Sequence, residues 1–237
     1  MQALILSNDK VANDIYCIKL QKPHWFNYKP GKFLMLKVNN LNEPLLRRPF
    51  SIAEAVNSSI DIYYKVVGLG TKILSDLKKG EFIDFTGPFG NSFEIKHKRL
   101  ALVGGGIGVA PLIGLKNFLD EQKIESECFF GFNTVNDCFV DFGHIATIDG
   151  SSGIKGTVVD MLSHLDNSYH VYACGPNAML SALCKLADEK GFSMDISLES
   201  NMACGFGVCL GCSVNTIKGY KQVCKDGPIF NYAEIIW

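Results

Sequence analysis

The sequence predicts an N-terminal antiparallel β-barrel, then an α/β unit built on a doubly wound parallel sheet, then a short cysteine-rich segment. Three observations predict it. Short apolar runs separated by turn residues fill positions 1–97, strand and helix patterns alternate from position 100, and four of the nine cysteines fall in the last 34 residues. The boundaries that follow are 1–97, 98–198 and 199–237. A chain of 237 residues suits one large domain or two compact ones. Its 47% hydrophobic and 20% charged residues are a globular mixture, which excludes a disordered or fibrous protein.

In the first part, apolar runs at 3–6, 15–20, 33–38, 60–67 and 82–86 read as strands. The punctuation between them is Asn8-Asp9, Lys29-Pro30-Gly31-Lys32, Asn39-Asn40 and Lys78-Lys79-Gly80-Glu81. Residues 60–66 show the period-2 alternation of a half-buried strand. One short stretch, 71–77, looks helical. In the second part, strands are expected at 100–103, 128–132, 171–174 and 194–198, and helices at 110–123, 157–165 and 177–190. That alternation argues for an open parallel sheet.

A net charge of −1 provides no basic field for nucleic acid. No apolar stretch reaches the ~20 residues that span a bilayer. The first 20 residues lack signal-peptide organisation, so a cytoplasmic protein is expected. Nine cysteines, an odd number, in such a chain argue against a disulfide framework.

Cys204, Cys209, Cys212 and Cys224 form the pattern C-x4-C-x2-C…C, the spacing of a plant-type 2Fe–2S site. Four thiolates must converge on two irons, and Gly205, Gly207 and Gly211 allow the chain to wrap closely around them. A zinc knuckle is the alternative, but it usually pairs two C-x(2–4)-C knuckles, whereas here three ligands share one loop and the fourth is distant. Cys17, Cys128, Cys138, Cys174 and Cys184 lie in mostly apolar surroundings and read as small core residues.

Gly104, Gly105, Gly106 and Gly108 form a turn between a strand and a helix, where dinucleotide phosphates can approach the backbone. A tight structural turn would explain it equally well. Cys174, Gly175 and Pro176 close a second strand before a helix and could face the same nucleotide. Gly131-Phe132-Asn133-Thr134 offers no cation for a 2′-phosphate, which favours NAD over NADP. In the barrel, Arg47-Arg48-Pro49-Phe50-Ser51 combines a cationic fork, an aromatic ring and a hydroxyl. Arg48 suits a pyrophosphate, Phe50 a flat ring and Ser51 a flavin edge, although a surface arginine pair before an ordinary strand has the same text. Gly68-Leu69-Gly70-Thr71 precedes the short helix, another phosphate-compatible terminus.

The order of these pieces resembles the ferredoxin–NADP reductase superfamily. The texts Leu198-Glu199-Ser200-Asn201-Met202-Ala203-Cys204-Gly205 and Val223-Cys224-Lys225-Asp226-Gly227-Pro228-Ile229-Phe230 resemble one family within it. That family is the electron-transfer subunits of B-type dihydroorotate dehydrogenase. The stretch 147–151, Thr-Ile-Asp-Gly-Ser, with Lys155-Gly156, resembles it too, so the likeness covers essentially the whole chain.

The resemblance implies that Arg48, Pro49, Phe50, Ser51, Tyr63, Tyr64 and Lys65 hold FAD. It implies that Gly70 and Thr71 bind the pyrophosphate of FAD and that the four C-terminal cysteines ligate a 2Fe–2S cluster. It also implies a partner subunit that carries FMN and oxidises dihydroorotate, in a heterotetramer with two copies of each chain. Electrons would then run from FMN through 2Fe–2S and FAD to NAD. Phe50 stands where this family often has an aliphatic residue, and residues 131–134 lack the small-residue-plus-Arg pattern of related reductases. No catalytic acid or base is implied; none of the five histidines is singled out, His97 and His144 included. The competing readings are a sulfide dehydrogenase or ferredoxin–NADP transhydrogenase subunit, and a colourless zinc-stapled scaffold.

Overall fold

A computed structural model describes residues 1–39, 43–96 and 98–237. The N-terminal sheet has six antiparallel strands: β1 (Gln2–Ala12), β2 (Ile15–Gln21), β3 (Phe33–Lys37), β4 (Arg48–Ser51), β5 (Ser59–Lys65) and β6 (Phe82–Phe89). Their order is β4-β3-β6-β1-β2-β5, and β5 returns beside β4 to close a barrel. The inward residues Ile5, Ile18, Leu20, Leu34, Leu36, Ile60, Ile62 and Phe85 fill it. One helix, α1 (Leu69–Asp76), lies between β5 and β6.

Two sequence expectations change here. Asn8-Asp9 is not a turn but lies within β1, Asp9 opposite Cys17. Asn8 is polar for another reason: its amide donates to the Leu74 and Leu77 carbonyls at the end of α1. The hairpin turns instead at Asn13-Asp14, where Asp14 takes φ 53°. Strand β4 had no apolar run to announce it, because its text is that of the arginine motif. The Asn39-Asn40 turn and His97 lie partly or wholly outside the described residues.

The second sheet has seven strands in the order β10-β9-β8-β7-β11-β12-β15. They are β7 (Arg99–Gly105), β8 (Ser126–Phe132), β9 (His144–Thr147), β10 (Ile154–Lys155), β11 (Tyr169–Cys174), β12 (Ser193–Ser197) and β15 (Ile229–Asn231). A hairpin of β13 (Ser213–Thr216) and β14 (Gly219–Gln222) stands apart. Period-2 alternation sorts β7 onto two faces. Leu100 and Leu102 pack with Leu112, Leu115 and Leu119 of α2 (Ala110–Glu121). Ala101 and Val103 pack with Leu180, Leu183 and Ala187 of α3 (Asn177–Lys190) on the other face. The sheet is therefore doubly wound.

It is not purely parallel: β15 runs antiparallel to β12 and comes from the cysteine-rich segment. The helix expected at 157–165 is only a 3-10 turn, Val158–Met161, closed when Asp160 accepts from the Thr157 N–H and hydroxyl. Buried Val158, Leu162 and Leu165 produce a helical spacing there without a helix.

Helix α2 also presses on the barrel. A Cβ at Gly114 would run into the Ala53 carbonyl and the Tyr28 hydroxyl, and Asn117 donates to Glu54 at 2.5 Å. The barrel and sheet thus share a close-packed seat. No helix among the described residues is long and apolar enough to cross a membrane.

Candidate functional site: two clefts and a thiol cluster

A cleft of about 760 Å³ opens between the barrel and the second sheet. Arg48, Pro49, Phe50, Ser51, Tyr63, Tyr64, Lys65 and Thr71 form its barrel wall. Ile107, Ala110, Pro111, Gly175, Pro176 and the 197–202 strand-end segment form the other. The two neighbouring arginines have different tasks. Arg47 is tied to Asp84, by 2.9 Å to the carboxylate and 3.1 Å to the carbonyl. Arg48 donates to the Leu46 carbonyl and lines the cleft. A Cβ on Gly70 would stand 3.0 Å from Arg48 Nε, so the glycine leaves room for the guanidinium. Gly70 thus sits behind the cleft wall.

Thr71 folds the chain into α1: its hydroxyl oxygen accepts from the Val67 and Gly68 N–H groups at 2.9 and 3.2 Å. Phe50 and Tyr64 are largely core. They meet edge-to-face at 5.8 Å, and the Tyr64 hydroxyl donates to Asn8 at 2.9 Å. Tyr63 stacks on Phe139 from the other domain at 5.1 Å.

A second cleft of about 460 Å³ lies at the carboxyl ends of the parallel strands, where open α/β sheets bind ligands. Gly105, Gly106, Ile107 and Gly108 border it, with Gly175, Pro176, Phe132, Asn133, Asp137, Ile148 and residues 156–158. Gly106 has φ 54°. Gly108 faces a harder constraint, since a Cβ there would stand 2.6 Å from the Cys174 carbonyl and the Gly175 nitrogen. The two loops touch backbone to backbone. Gly108→Val is expected to push them apart, costing about 1–3 kcal/mol in strain. Its checkable result is a weakened nicotinamide nucleotide Kd with bound flavin retained.

Gly104 and Cys174 line neither cleft. Gly104 lets Val109 and Phe130 close behind the turn. Cys174 is 2% exposed, and burial raises its thiol.

Lys65, Ile107, Gly175, Pro176 and Glu199 line both clefts and so form the seam where they meet. Sequence reasoning missed Glu199 as a site residue. It opens onto cleft water, yet the surrounding walls desolvate its carboxyl and raise its pKa. The only signal was its place after the last parallel strand, within the text that carries the resemblance.

The segment 197–202 leads from the first cleft directly into the cysteine loop. The thiols stand close to one another, with Cys224 beside both Cys212 and Cys204. Cys209 lies beside Cys204 and helps to lower its thiol, and the Cys224 N–H donates to Cys212 Sγ at 3.4 Å. Among the described residues no three metal-ligating side chains close on a single position. Four cysteines with three in one loop and the fourth brought in from position 224 are the donor set of a plant-type 2Fe–2S site. Burial raises the Cys204 thiol, but amide donors from Phe206, Cys209 and Val208 outweigh it and hold it at about 6. Cys224 is pushed up to about 12, first by burial and then by Cys212 beside it. Gly205 and Gly207, at φ 81° and 92°, turn those amides inward. A Cβ on Gly205 would stand 2.6 Å from Met35 of β3, so the loop is seated on the barrel. Cys209 is exposed, whereas Cys212 and Cys224 are buried. The donor set fits a 2Fe–2S cluster, and the cationic, partly aromatic first cleft fits FAD.

A barrel and a doubly wound sheet that share a cleft, joined to a four-thiol tail, define a flavin and iron–sulfur oxidoreductase of the ferredoxin reductase class. Residues 3–94 match the model described as oxidoreductase FAD-binding domain. Residues 199–236 match the iron-sulfur cluster binding domain of dihydroorotate dehydrogenase B. A Caldanaerobacter subterraneus subsp. tengcongensis protein named dihydroorotate dehydrogenase B (NAD(+)), electron transfer subunit, is 39% identical over 250 residues, spanning 100% of this chain and 98% of its own. The Clostridium acetobutylicum protein of that name is 39% identical over 98% of this chain and 95% of its own. The chain belongs to the family of dihydroorotate dehydrogenase B electron-transfer subunits. Among solved structures, an NADH-dependent reduced ferredoxin-NADP oxidoreductase, described for flavin-based electron bifurcation, aligns with TM-score 0.88 and 29% identity over 99% of this chain and 90% of its own. Phthalate dioxygenase reductase shares the fold, with TM-score 0.67 and 18% identity over 92% of this chain and 86% of its own.

Proposed function

We propose that this chain relays electrons from a catalytic partner that oxidises dihydroorotate, in pyrimidine biosynthesis, to NAD. The observation that carries this is continuity: the two clefts share a seam, and the wall of the first runs on into the thiol loop. Nicotinamide exchanges hydride, a cluster exchanges single electrons, and a flavin can do both, which is the chemistry FAD supplies when bound between them.

The chain's own residues bind and orient. Arg48 neutralises pyrophosphate beside Gly70 and Thr71. Pro49, Phe50 and Ser51, with Tyr63, Tyr64 and Lys65, shape the flavin wall. Gly105, Gly106, Gly108, Gly175 and Pro176 admit the nicotinamide nucleotide, while Gly104 and Cys174 support that turn from behind. Cys204, Cys209, Cys212 and Cys224 hold the cluster, with Cys209 toward the partner. Among the described residues lining the second cleft, Lys65 is the one Lys or Arg and it stands at the seam. No Lys or Arg among the described residues lines the far end of that cleft, which supports NAD.

The parts divide at 1–97, 98–198 and 199–237 as FAD-binding, NAD-binding and cluster-binding units. The partner carries FMN, two copies of each chain assemble, and the complex works in the cytoplasm. The likeness to a ferredoxin-NADP oxidoreductase favours one second reading, in which the same relay serves a different partner.

Isolated chain is expected to reduce artificial acceptors with NADH and to leave dihydroorotate untouched, because neither cleft carries a substrate base assigned to that chemistry. Stopped-flow bleaching by NADH and a dihydroorotate assay check this. Dihydroorotate oxidation by the single chain would sink it. Co-purification with an FMN-containing subunit separates the two partner readings.

A further inference from the structure

Strand β5 of the barrel reaches both clefts. Lys65 at its end lines both, and Ile15, opposite Lys65 at the start of β2, borders the second. Tyr63 precedes Lys65 by two residues, so the two share one face of the strand, about 7 Å apart. Tyr63 lines the first cleft, but a flavin wall does not account for where its ring is held. The ring stacks on Phe139 at 5.1 Å, with 29° between the planes. Phe139 and Phe132 meet edge-to-face at 5.8 Å, and Phe132 borders the second cleft. Tyr63, Phe139 and Phe132 thus form an aromatic chain from the wall of one cleft to the wall of the other. The rings of Tyr63 and Phe139 are half-buried, so their stack lies at the boundary of the two domains rather than deep in either core.

The segment that carries Phe139 is tied to both domains. Asp137 accepts from the Thr134 N–H and hydroxyl at 3.1 and 3.2 Å. The Val135 N–H donates to the Ser151 hydroxyl at 2.8 Å. Beyond Phe139, Phe142 meets Phe130 of β8 edge-to-face at 5.4 Å. The barrel holds the same segment directly: the Asn13 N–H, in the turn between β1 and β2, donates to the Asn136 carbonyl at 2.7 Å.

Hydride exchange needs reacting atoms about 3–3.5 Å apart, and a misplacement of about 1 Å costs roughly 100-fold in rate. Across the seam, the separation of nicotinamide and flavin is set by how the barrel stands against the nucleotide sheet. The stack sits two residues from that seam, on the same face of β5. We propose that Tyr63 and Phe139 form an interdomain clasp that sets the approach of the nicotinamide to the flavin, with Phe139 as a positioning residue. The assignment rests on the NAD-linked reading above and goes beyond it. Phe139 lines neither cleft and acts through Tyr63 and Phe132.

The test uses flavin- and cluster-loaded chain carrying Phe139→Ala, Phe139→Leu or Phe139→Tyr. Anaerobic stopped-flow mixing with NADH reads the long-wavelength charge-transfer absorbance of the nucleotide–flavin complex and then the bleaching of the flavin as hydride passes to it. Phe139→Ala is expected to weaken the charge-transfer band and to lower the saturating bleaching rate about 10- to 100-fold. Its NADH Kd should change by less than about threefold, since a positioning loss falls on the rate and not on binding. Phe139→Leu, which fills the space without a ring, should change in the same direction. Phe139→Tyr, which keeps the ring, should stay within about twofold of the parent. Hydrogen exchange provides a readout that needs no reaction: the Asn13 amide should exchange about twofold to tenfold faster in Phe139→Ala. If the alanine variant does not assemble with its cofactors, the leucine and tyrosine variants decide by the same criteria. A parental charge-transfer band and bleaching rate without the ring would overturn the clasp and leave the NAD-linked reading standing. So would a loss confined to the NADH Kd, or a tyrosine variant as slow as the leucine one. A parent chain that NADH does not bleach would overturn both.

Discussion

Cys209→Ser is expected to empty the chain of iron and acid-labile sulfide while FAD remains bound. Cys209 is exposed, so the change removes one of the four candidate thiolate ligands without opening the core. A neutral serine hydroxyl is a harder and weaker partner for iron than a thiolate. The loop itself stays seated, because Gly205 rests on Met35 and the chain returns to the sheet through β15. The barrel wall of the first cleft belongs to β4, β5 and the start of α1, in the other part of the chain. Electron delivery between partner and NAD should fall by about 100-fold or more, while NADH-driven dye reduction continues. Iron and sulfide analysis with a visible spectrum reads both. Loss of flavin together with iron would mean that the cluster loop is needed for the first cleft to form.

Arg48→Ala is expected to weaken FAD binding by about 10- to 100-fold, from the loss of charge-assisted hydrogen bonds worth roughly 1.5–3 kcal/mol. The neighbouring variant, Arg47→Ala, provides the contrast. Arg47 is fixed to Asp84, which also receives the N-terminal ammonium at 2.9 Å. Its loss should lower Tm and leave the intrinsic flavin affinity close to the parent. Among the described residues Arg48 donates only to the nearby, exposed Leu46 carbonyl, so its removal should change the flavin Kd more than the Tm of flavin-free protein. Flavin fluorescence titration and thermal melts distinguish the two. Equal flavin affinity in Arg48→Ala and parent would remove Arg48 from the pyrophosphate site.

The thiol ligands, the glycine turns and the arginine motif were legible because their chemistry is local. C-x4-C-x2-C needs only a tight loop, and Gly105-Gly106 needs only a strand followed by a helix. Helix α3 was read to its ends, with Pro176 before it and Gly191 in the left-handed conformation after it. What misled was pattern without context. Asn8 looked like a turn residue, but its side chain completes hydrogen bonds from α1, 66 residues away. Residues 157–165 carried helical spacing because several of them reach the same core, although the backbone makes only one turn.

Glu199, Ile148 and Gly108 mark the limit of reading along the chain. Nothing local says that Glu199 stands where two clefts meet, that Ile148 faces a ligand space, or that Gly108 lies against the backbone after Cys174. Those facts depend on which strand ends become neighbours. By itself the sequence determined the order of the parts and the four candidate cluster ligands, through side-chain type and short-range spacing, and it pointed to the flavin and nicotinamide through the family resemblance that its motifs carry. Only the tertiary structure decided that Arg47 is tied to Asp84 while Arg48 lines a cleft, that Glu199 stands where two clefts meet, and that a strand from the cysteine-rich tail completes the nucleotide sheet. The physical reason is that burial, backbone contact and cross-strand neighbourhood are set by segments far apart in the chain, and they become defined only when the barrel and the sheet close on each other.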